Sequence, residues 1–323
     1  MARYIVTGCA GFIGSNVSSK LLSQGQEVIG IDNLNNSYDI KLKEWRLNQL
    51  LEIPQFNFHL SDICDVDKLR IIFKSDVDGV INLAARAGVR ASLINPWEYY
   101  ETNVTGTLNL LELCREFGIN KFVLASTSSL YGQTNDQPFS ETQSTDYPLS
   151  PYAASKKAAE TLCYTYHHLY DIDISVPRYF TVYGPAGRPD MAIFKFIQSI
   201  AEAVPVNLFG DGEQTRDFTY VDDIANGTIL SLKPMGYQVI NLGSDSPVSV
   251  NYCISLIEKH LDQLAHKIYL PSHTADVRHT WANVTKATES LGWFPKTSLN
   301  DGIRETVKWY IENQYWAKTI TID

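Results

Sequence analysis

No apolar run among the 323 residues approaches the ~20 needed to cross a bilayer. A basic surplus is also missing: 27 Lys and Arg stand against 36 Asp and Glu, for a net charge of −9. That argues against nucleic acid or an anionic membrane as the main partner. An anionic small ligand stays open, because a pocket can be locally basic. The five cysteines (Cys9, Cys64, Cys114, Cys163, Cys253) are odd in number and widely spaced. They suit buried free thiols in a reducing compartment, although Cys9 sits in a Gly-rich turn where a reactive thiol is also conceivable. The seven histidines are scattered, without metal-ligand spacing. Repeats and low-complexity stretches are absent. The chain runs straight into a strand-like segment with no signal peptide, so a cytoplasmic protein is expected.

What is present is ordinary for a globular protein: 44% apolar and 20% charged residues, enough for one large or two ordinary domains. Arg3 to Thr7 reads as a strand, and Gly8-Cys9-Ala10-Gly11-Phe12-Ile13-Gly14 follows it. Ile13, Val17 and Leu21 then recur at helical spacing, Gly25 ends that helix, and Glu27 to Ile31 form a second strand closed by Asp32. Such a turn brings backbone N–H groups at a helix N-terminus to a pyrophosphate. Asp32, 18 residues after Gly14, suits the adenosine ribose hydroxyls. Its carboxylate would repel a 2′-phosphate, which favours NAD over NADP. An ordinary tight turn is the competing reading of the glycines alone.

The alternation continues with strands at Gln55–Leu60, Gly79–Leu83, Lys121–Ala125 and Ile172–Pro177. Helices are expected at Val66–Phe73, from Asn95-Pro96 to about Phe117, and from Pro151 to about Tyr170. The predicted fold is therefore α/β: a Rossmann-type doubly wound parallel sheet with a smaller C-terminal α/β substrate domain. Residues 1–179 and 214–245 are assigned to the sheet domain, and 180–213 and 246–323 to the second. Asp62, and small Ala84 and Ala85, fall at strand ends where a cofactor approaches.

Ser150 caps the third of those helices, and Pro151 suits its first position. Tyr152 and Lys156, four apart, share one helix face. A phenol titrates near pH ~10, and an adjacent ammonium lowers that value, making a base for an alcohol proton. Taken alone, Tyr-x-x-x-Lys also fits an incidental surface helix. A hydroxyl from Ser126-Thr127-Ser128-Ser129 can align the proton's path, or simply cap backbone.

Thr7-Gly8-x-x-Gly11-x-x-Gly14, Thr127, Tyr152-x-x-x-Lys156 and Arg178-Tyr179-Phe180 together resemble the extended short-chain dehydrogenase/reductase family. Arg216-Asp217-Phe218-Thr219-Tyr220-Val221-Asp222-Asp223 points to its nucleotide-sugar branch. Tyr179 to Met191, with Ala87-Gly88-Val89-Arg90, is similar to the UDP-glucuronate 4-epimerases. The resemblance implies catalysis by Tyr152 and Thr127 with Lys156 in support, and a homodimer through helices 96–117 and 151–170. It implies NAD held by Gly8, Gly11, Phe12, Ile13, Gly14, Asp32, Asn33, Asp62, Ile63, Leu83, Ala84, Ala85, Asn103 and Tyr179, besides Tyr152 and Lys156. Substrate contacts are expected from Arg90, Thr127, Ser128, Ser129, Thr181, Arg188, Arg216, Asp276 and Arg278. Arg216 is the expected diphosphate anchor, unless it pairs with Asp211 or Asp217. Thr181 and Arg188 are expected at the sugar carboxylate, unless Arg188 pairs with Asp190. The chain departs from the family at His273, where many UDP-sugar epimerases carry Arg.

Family dehydratases follow the Thr with Asp-Glu, and decarboxylases place a Glu two residues after it. Ser128 and Ser129 stand there, so epimerisation of UDP-glucuronate to UDP-galacturonate is favoured. A 4-epimerase of UDP-glucose or UDP-N-acetylhexosamines, a UDP-glucuronate decarboxylase and a non-catalytic NAD-binding sensor remain as alternatives.

Overall fold

The computed structural model describes residues 1–133, 136–271 and 277–322. Its first strands are β1 (Arg3–Thr7), β2 (Glu27–Asp32), β3 (Phe56–Leu60), β4 (Gly79–Asn82), β5 (Lys121–Leu124), β6 (Ser126–Thr127) and β7 (Asp173–Tyr179). With strand Tyr237–Leu242 they form one parallel sheet, ordered β3-β2-β1-β4-β5-β7 and then Tyr237–Leu242. β6 continues the line of β5 and pairs with β7, Thr127 opposite Tyr179.

Side chains alternate across each strand. Ile5, Val80, Phe122 and Ile174 face one way, into a core with helices Val66–Ile72, Gly106–Phe117 and Pro151–Tyr170. Val6, Ile81 and Val123 face the other way, into a core with helices Phe12–Ser23, Ile40–Leu51 and Val221–Leu230. Both faces are covered, so the central strands read as continuous apolar runs. A fully buried Ile or Val contributes about 1.5–3 kcal/mol, which fixes the sheet register firmly. The strand order reverses between β1 and β4, and a crevice opens there beyond the carboxyl ends.

Residues 183–208 and 250–320 supply most of another apolar core, with Ile193, Ile197, Leu208, Ile254, Val307 and Tyr310. Leu42 and Phe218 join it, and Phe218–Tyr220 pairs with Thr181–Tyr183. The two packing units are thus stitched together by segments from the sheet side.

Two departures from the sequence reading bear on the site. Helix Ile40–Leu51 occupies a stretch where no element was predicted; Asp39 caps it by accepting from the Lys41 amide. The helix expected to run unbroken to Phe117 is instead Pro96–Tyr100, a π-helical turn at Glu101–Thr105, then Gly106–Phe117. Such turns widen a helix locally and often mark functional sites. Here the turn carries Asn103. The helix resumes at Gly106, where a Cβ would lie 2.4 Å from the Ile63 side chain.

Candidate active site

The crevice is a cleft of about 340 Å³. One end is built by the glycine-rich turn. Gly8 adopts φ +68°, and a Cβ there would meet the Ala84 nitrogen at 2.7 Å; one on Gly14 would meet the Gly8 carbonyl at 2.0 Å. Only glycine permits this approach of β1, the turn and the end of β4. Helix Phe12–Ser23 starts with no side-chain cap, and Gly11 to Gly14 line the cleft. Asp32 closes β2, where its carboxylate accepts from the Ala10 and Leu34 amides at 3.1 and 2.8 Å. Asn33 donates to Asp62 at 2.6 Å, and the Cys64 amide donates to the same carboxylate at 2.8 Å. Burial pushes Asp62 upward, but these donors outweigh it and leave the carboxyl below its usual range. A glycine cradle under an uncapped helix N-terminus, with acids at the ends of β2 and β3, fits a dinucleotide.

Phe12, Ile13, Ile63, Leu83, Ala84, Ala85 and Tyr179 line the same cleft, with Thr127, Ser128, Ser129, Tyr152, Lys156, Thr181 and Arg188. Ser150 caps the catalytic-motif helix by accepting from the Ala153 amide at 3.2 Å, and Pro151 opens it. Tyr152 packs edge-on against Tyr99, centroids 6.1 Å apart. Thr127 donates to the Ser129 hydroxyl and accepts from the Ser129 amide, both at 3.2 Å. Tyr179 turns its hydroxyl back to Thr228 at 2.7 Å.

Lys156 is buried and donates to the Ala125 carbonyl at 2.9 Å. Burial brings its ammonium down to about 8, against the raising effects of Cys163 and Glu160. The expected lowering of the Tyr152 phenol by this lysine is not found. Burial raises the phenol instead, and the opposing influences are the Thr127 hydroxyl and the Arg188 charge. Desolvation of the phenolate outweighs the available positive charge.

Arg188 lines the cleft and forms the pair with Asp190 that the sequence offered as its other reading. Nε and Nη2 fork onto the carboxylate, and Nη2 also reaches the Ala87 carbonyl at 3.2 Å. Asn103, expected at the cofactor, is not among the lining residues. Its amide bridges the Arg86 backbone, accepting at 2.9 Å and donating at 3.0 Å, and donates to Ser155 at 2.9 Å. It shapes the loop after β4 from behind. Arg90, Arg216 and Arg278 also fall outside the lining. The Arg90 guanidinium lies 4.0 Å from the Phe209 ring centroid. Arg216 donates to the Thr215 and Arg278 carbonyls, and Arg278 approaches Asp211 at 3.8 Å. Asp217 instead accepts from the Ser244, Asp245 and Ala282 amides. Asp276 and His273 lie outside the described residues.

Sequence reasoning missed Tyr38 and Lys43, which line the cleft, and Arg46 behind them. Lys43 donates to the Asn35 carbonyl and side chain at 2.9 and 3.0 Å; burial brings its ammonium down to about 8. The available signal was Asp39 as a helix cap. Among the described residues no group of His, Cys, Asp and Glu could hold a metal, and no helix is long and apolar enough to cross a membrane.

Comparison with known proteins bears on this arrangement. The family described as GDP-mannose 4,6 dehydratase matches residues 5–306. A UDP-glucuronate 4-epimerase of Thermodesulfobacterium geofontis is 55% identical, over 100% of both chains. The crystal structure of Bacillus cereus UDP-glucuronic acid 4-epimerase with UDP-glucuronic acid and NAD superposes with a TM-score of 0.90 at 38% identity, covering 96% of this chain and 99% of that one. Thermotoga maritima UDP-glucose 4-epimerase with UDP-glucose gives 0.90 at 33%, covering 97% and 99%. The chain belongs to the extended short-chain dehydrogenase/reductase family, in its nucleotide-sugar epimerase branch.

Proposed function

We propose that this chain is an NAD-dependent UDP-glucuronate 4-epimerase, interconverting UDP-glucuronate and UDP-galacturonate. The observation that carries the reading is that Thr127, Tyr152, Lys156 and Arg188 line one cleft with the glycine turn and Asp32. Bound NAD supplies reversible hydride exchange at C4 of the sugar, and its charged ring adds to the positive field at the phenol. Tyr152 takes the 4-hydroxyl proton and returns it, with the Thr127 hydroxyl aligning its path. Lys156, anchored on the Ala125 carbonyl, holds positive charge beside that transfer. Gly8, Gly11 and Gly14 admit the pyrophosphate, and Asp32 receives the adenosine ribose.

The 4-keto form of glucuronate is a β-keto acid, which loses carbon dioxide when its carboxylate stands perpendicular to the ketone. Arg188 and Thr181 hold that carboxylate still. The Asp190 fork uses Nε and Nη2 of Arg188 and leaves Nη1 for the substrate. No carboxylate follows Thr127 to drive elimination or decarboxylation; Ser128 and Ser129 stand there. Arg216 and Arg278 belong to the nucleotide end of the substrate, as bidentate-capable phosphate donors. The enzyme works as a homodimer in the cytoplasm. In support, exposed Trp97, Leu169 and Tyr170 lie on helices 96–117 and 151–170, with exposed Ile94 just before the first, and all five cysteines are free thiols.

The test is incubation of the purified protein with UDP-glucuronate and chromatography of the products. UDP-galacturonate is expected. UDP-pentose as the main product would overturn the reading of Ser128 and Ser129, and a Tyr152→Phe protein with undiminished turnover would overturn the catalytic assignment.

A further inference from the structure

Arg46 is buried on helix Ile40–Leu51 and uses all five of its N–H donors. Nε and Nη2 donate to the Ala186 carbonyl at 3.0 and 2.6 Å, and Nη2 to the Gly187 carbonyl at 3.1 Å. Nη1 donates to the Tyr38 hydroxyl at 2.7 Å and to the Ala10 carbonyl at 3.3 Å. Ala10 lies in the glycine-rich turn, whereas Ala186 and Gly187 immediately precede Arg188. Ala186 sits at φ +49°, a conformation a non-glycine residue holds only when its surroundings impose it. Among the described residues no carboxylate pairs with Arg46. Its charge is met by carbonyls and by the faces of Phe12 and Tyr38, 5.8 and 5.6 Å away. The Tyr38 ring also faces Arg188, 5.7 Å away.

We infer that Arg46 is a positioning residue that couples the dinucleotide turn to the loop carrying Arg188, so that cofactor binding sets the substrate-carboxylate site. The inference rests on the proposed function for what Arg188 grips. A ligand shifts a distant segment only through a differential interaction. Here that interaction is the attraction between an anionic pyrophosphate on the turn and a buried cation whose other donors hold residues 186 and 187. Lysine cannot replace it, since a single ammonium lacks the fork that spans both carbonyls.

Hydrogen exchange in the holoenzyme tests the link. In Arg46→Lys, amides of residues 184–191 should exchange about tenfold faster, while those of β5 stay protected. NAD added to cofactor-depleted wild type should slow exchange at residues 8–14 and 184–191 together; in Arg46→Lys only the first segment should respond. With UDP-glucuronate the variant should show a raised KM and a larger UDP-pentose fraction, with a smaller change on UDP-glucose. Tyr38→Phe, which removes one acceptor and keeps the guanidinium, should shift exchange in the same direction by less, and it decides the matter if Arg46→Lys does not fold. Unchanged exchange at 184–191 in a folded variant, or equal acceleration across the sheet, overturns the coupling. A wild type that makes no UDP-galacturonate overturns the proposed activity alone, because the exchange measurements stand without it.

Discussion

Glu160 and Arg178 face each other as a buried, forked ion pair, Nε to Oε1 at 2.9 Å and Nη2 to Oε2 at 2.7 Å. Glu160 stands one helical turn beyond Lys156, and the Ser126 hydroxyl next to Thr127 donates to the same carboxylate at 2.6 Å. Arg178 also reaches the Tyr131 hydroxyl at 3.1 Å, which in turn donates to Asn241 at 2.6 Å. The pair therefore locks the Tyr152 helix to β6 and β7, and holds Thr127 and Lys156 at a fixed separation.

Breaking that pair should be expensive. Glu160→Gln leaves a buried guanidinium without its counter-charge, at a cost of about 3–5 kcal/mol. Urea unfolding measures it, and a loss under about 1 kcal/mol would show that the pair contributes little beyond what an exposed one does.

Lys156 gives a pH signature. Its folded value of about 8 lies below the ordinary 10.5. Below pH 8 both folded and unfolded chains carry the charge, and the folded one bears the burial penalty. Between 8 and 10.5 the unfolded chain binds more protons, so stability rises with pH. Relative to Lys156→Met, wild type should gain about 3 kcal/mol across that window, since each pKa unit is worth ~1.4 kcal/mol. A flat difference between the two proteins would refute the burial argument.

Arg188→Ala removes the proposed grip on the sugar carboxylate. A hydrogen bond to a charged group is worth about 1.5–3 kcal/mol, so KM for UDP-glucuronate should rise roughly tenfold to a hundredfold. UDP-glucose should be little affected. Equal losses on both substrates would reject the assignment.

The proposed dimer makes a separate prediction. Trp97 is 81% exposed beside Ile94 at 87%. Trp97→Glu should convert a dimer to a monomer in light scattering after size exclusion; a wild type already monomeric would dispose of the interface.

Much of the sheet was legible because both its faces are covered, which leaves unbroken apolar runs such as Phe122-Val123-Leu124. The glycine spacing marked one end of the cleft for a steric reason that survives in one dimension. Helix Ile40–Leu51 was not legible. Its buried face is Leu42, Lys43, Arg46, Leu47 and Leu50, so two of its inward positions carry cations and disguise the period. The setting of Asn103 was not legible either, because only the π turn shows that its amide is committed to Arg86 and Ser155.

The order of residues alone determined the alternation of strands and helices, the glycine turn with its acid, and a phenol and an amine one helical turn apart. These depend on contacts between near neighbours in the chain. Only the tertiary structure decided that burial raises that phenol, that Arg188 is gripped by Asp190, and that Arg46 ties residue 10 to residue 186. Desolvation and long-range hydrogen bonds come from groups far apart in sequence, and folding alone brings them together.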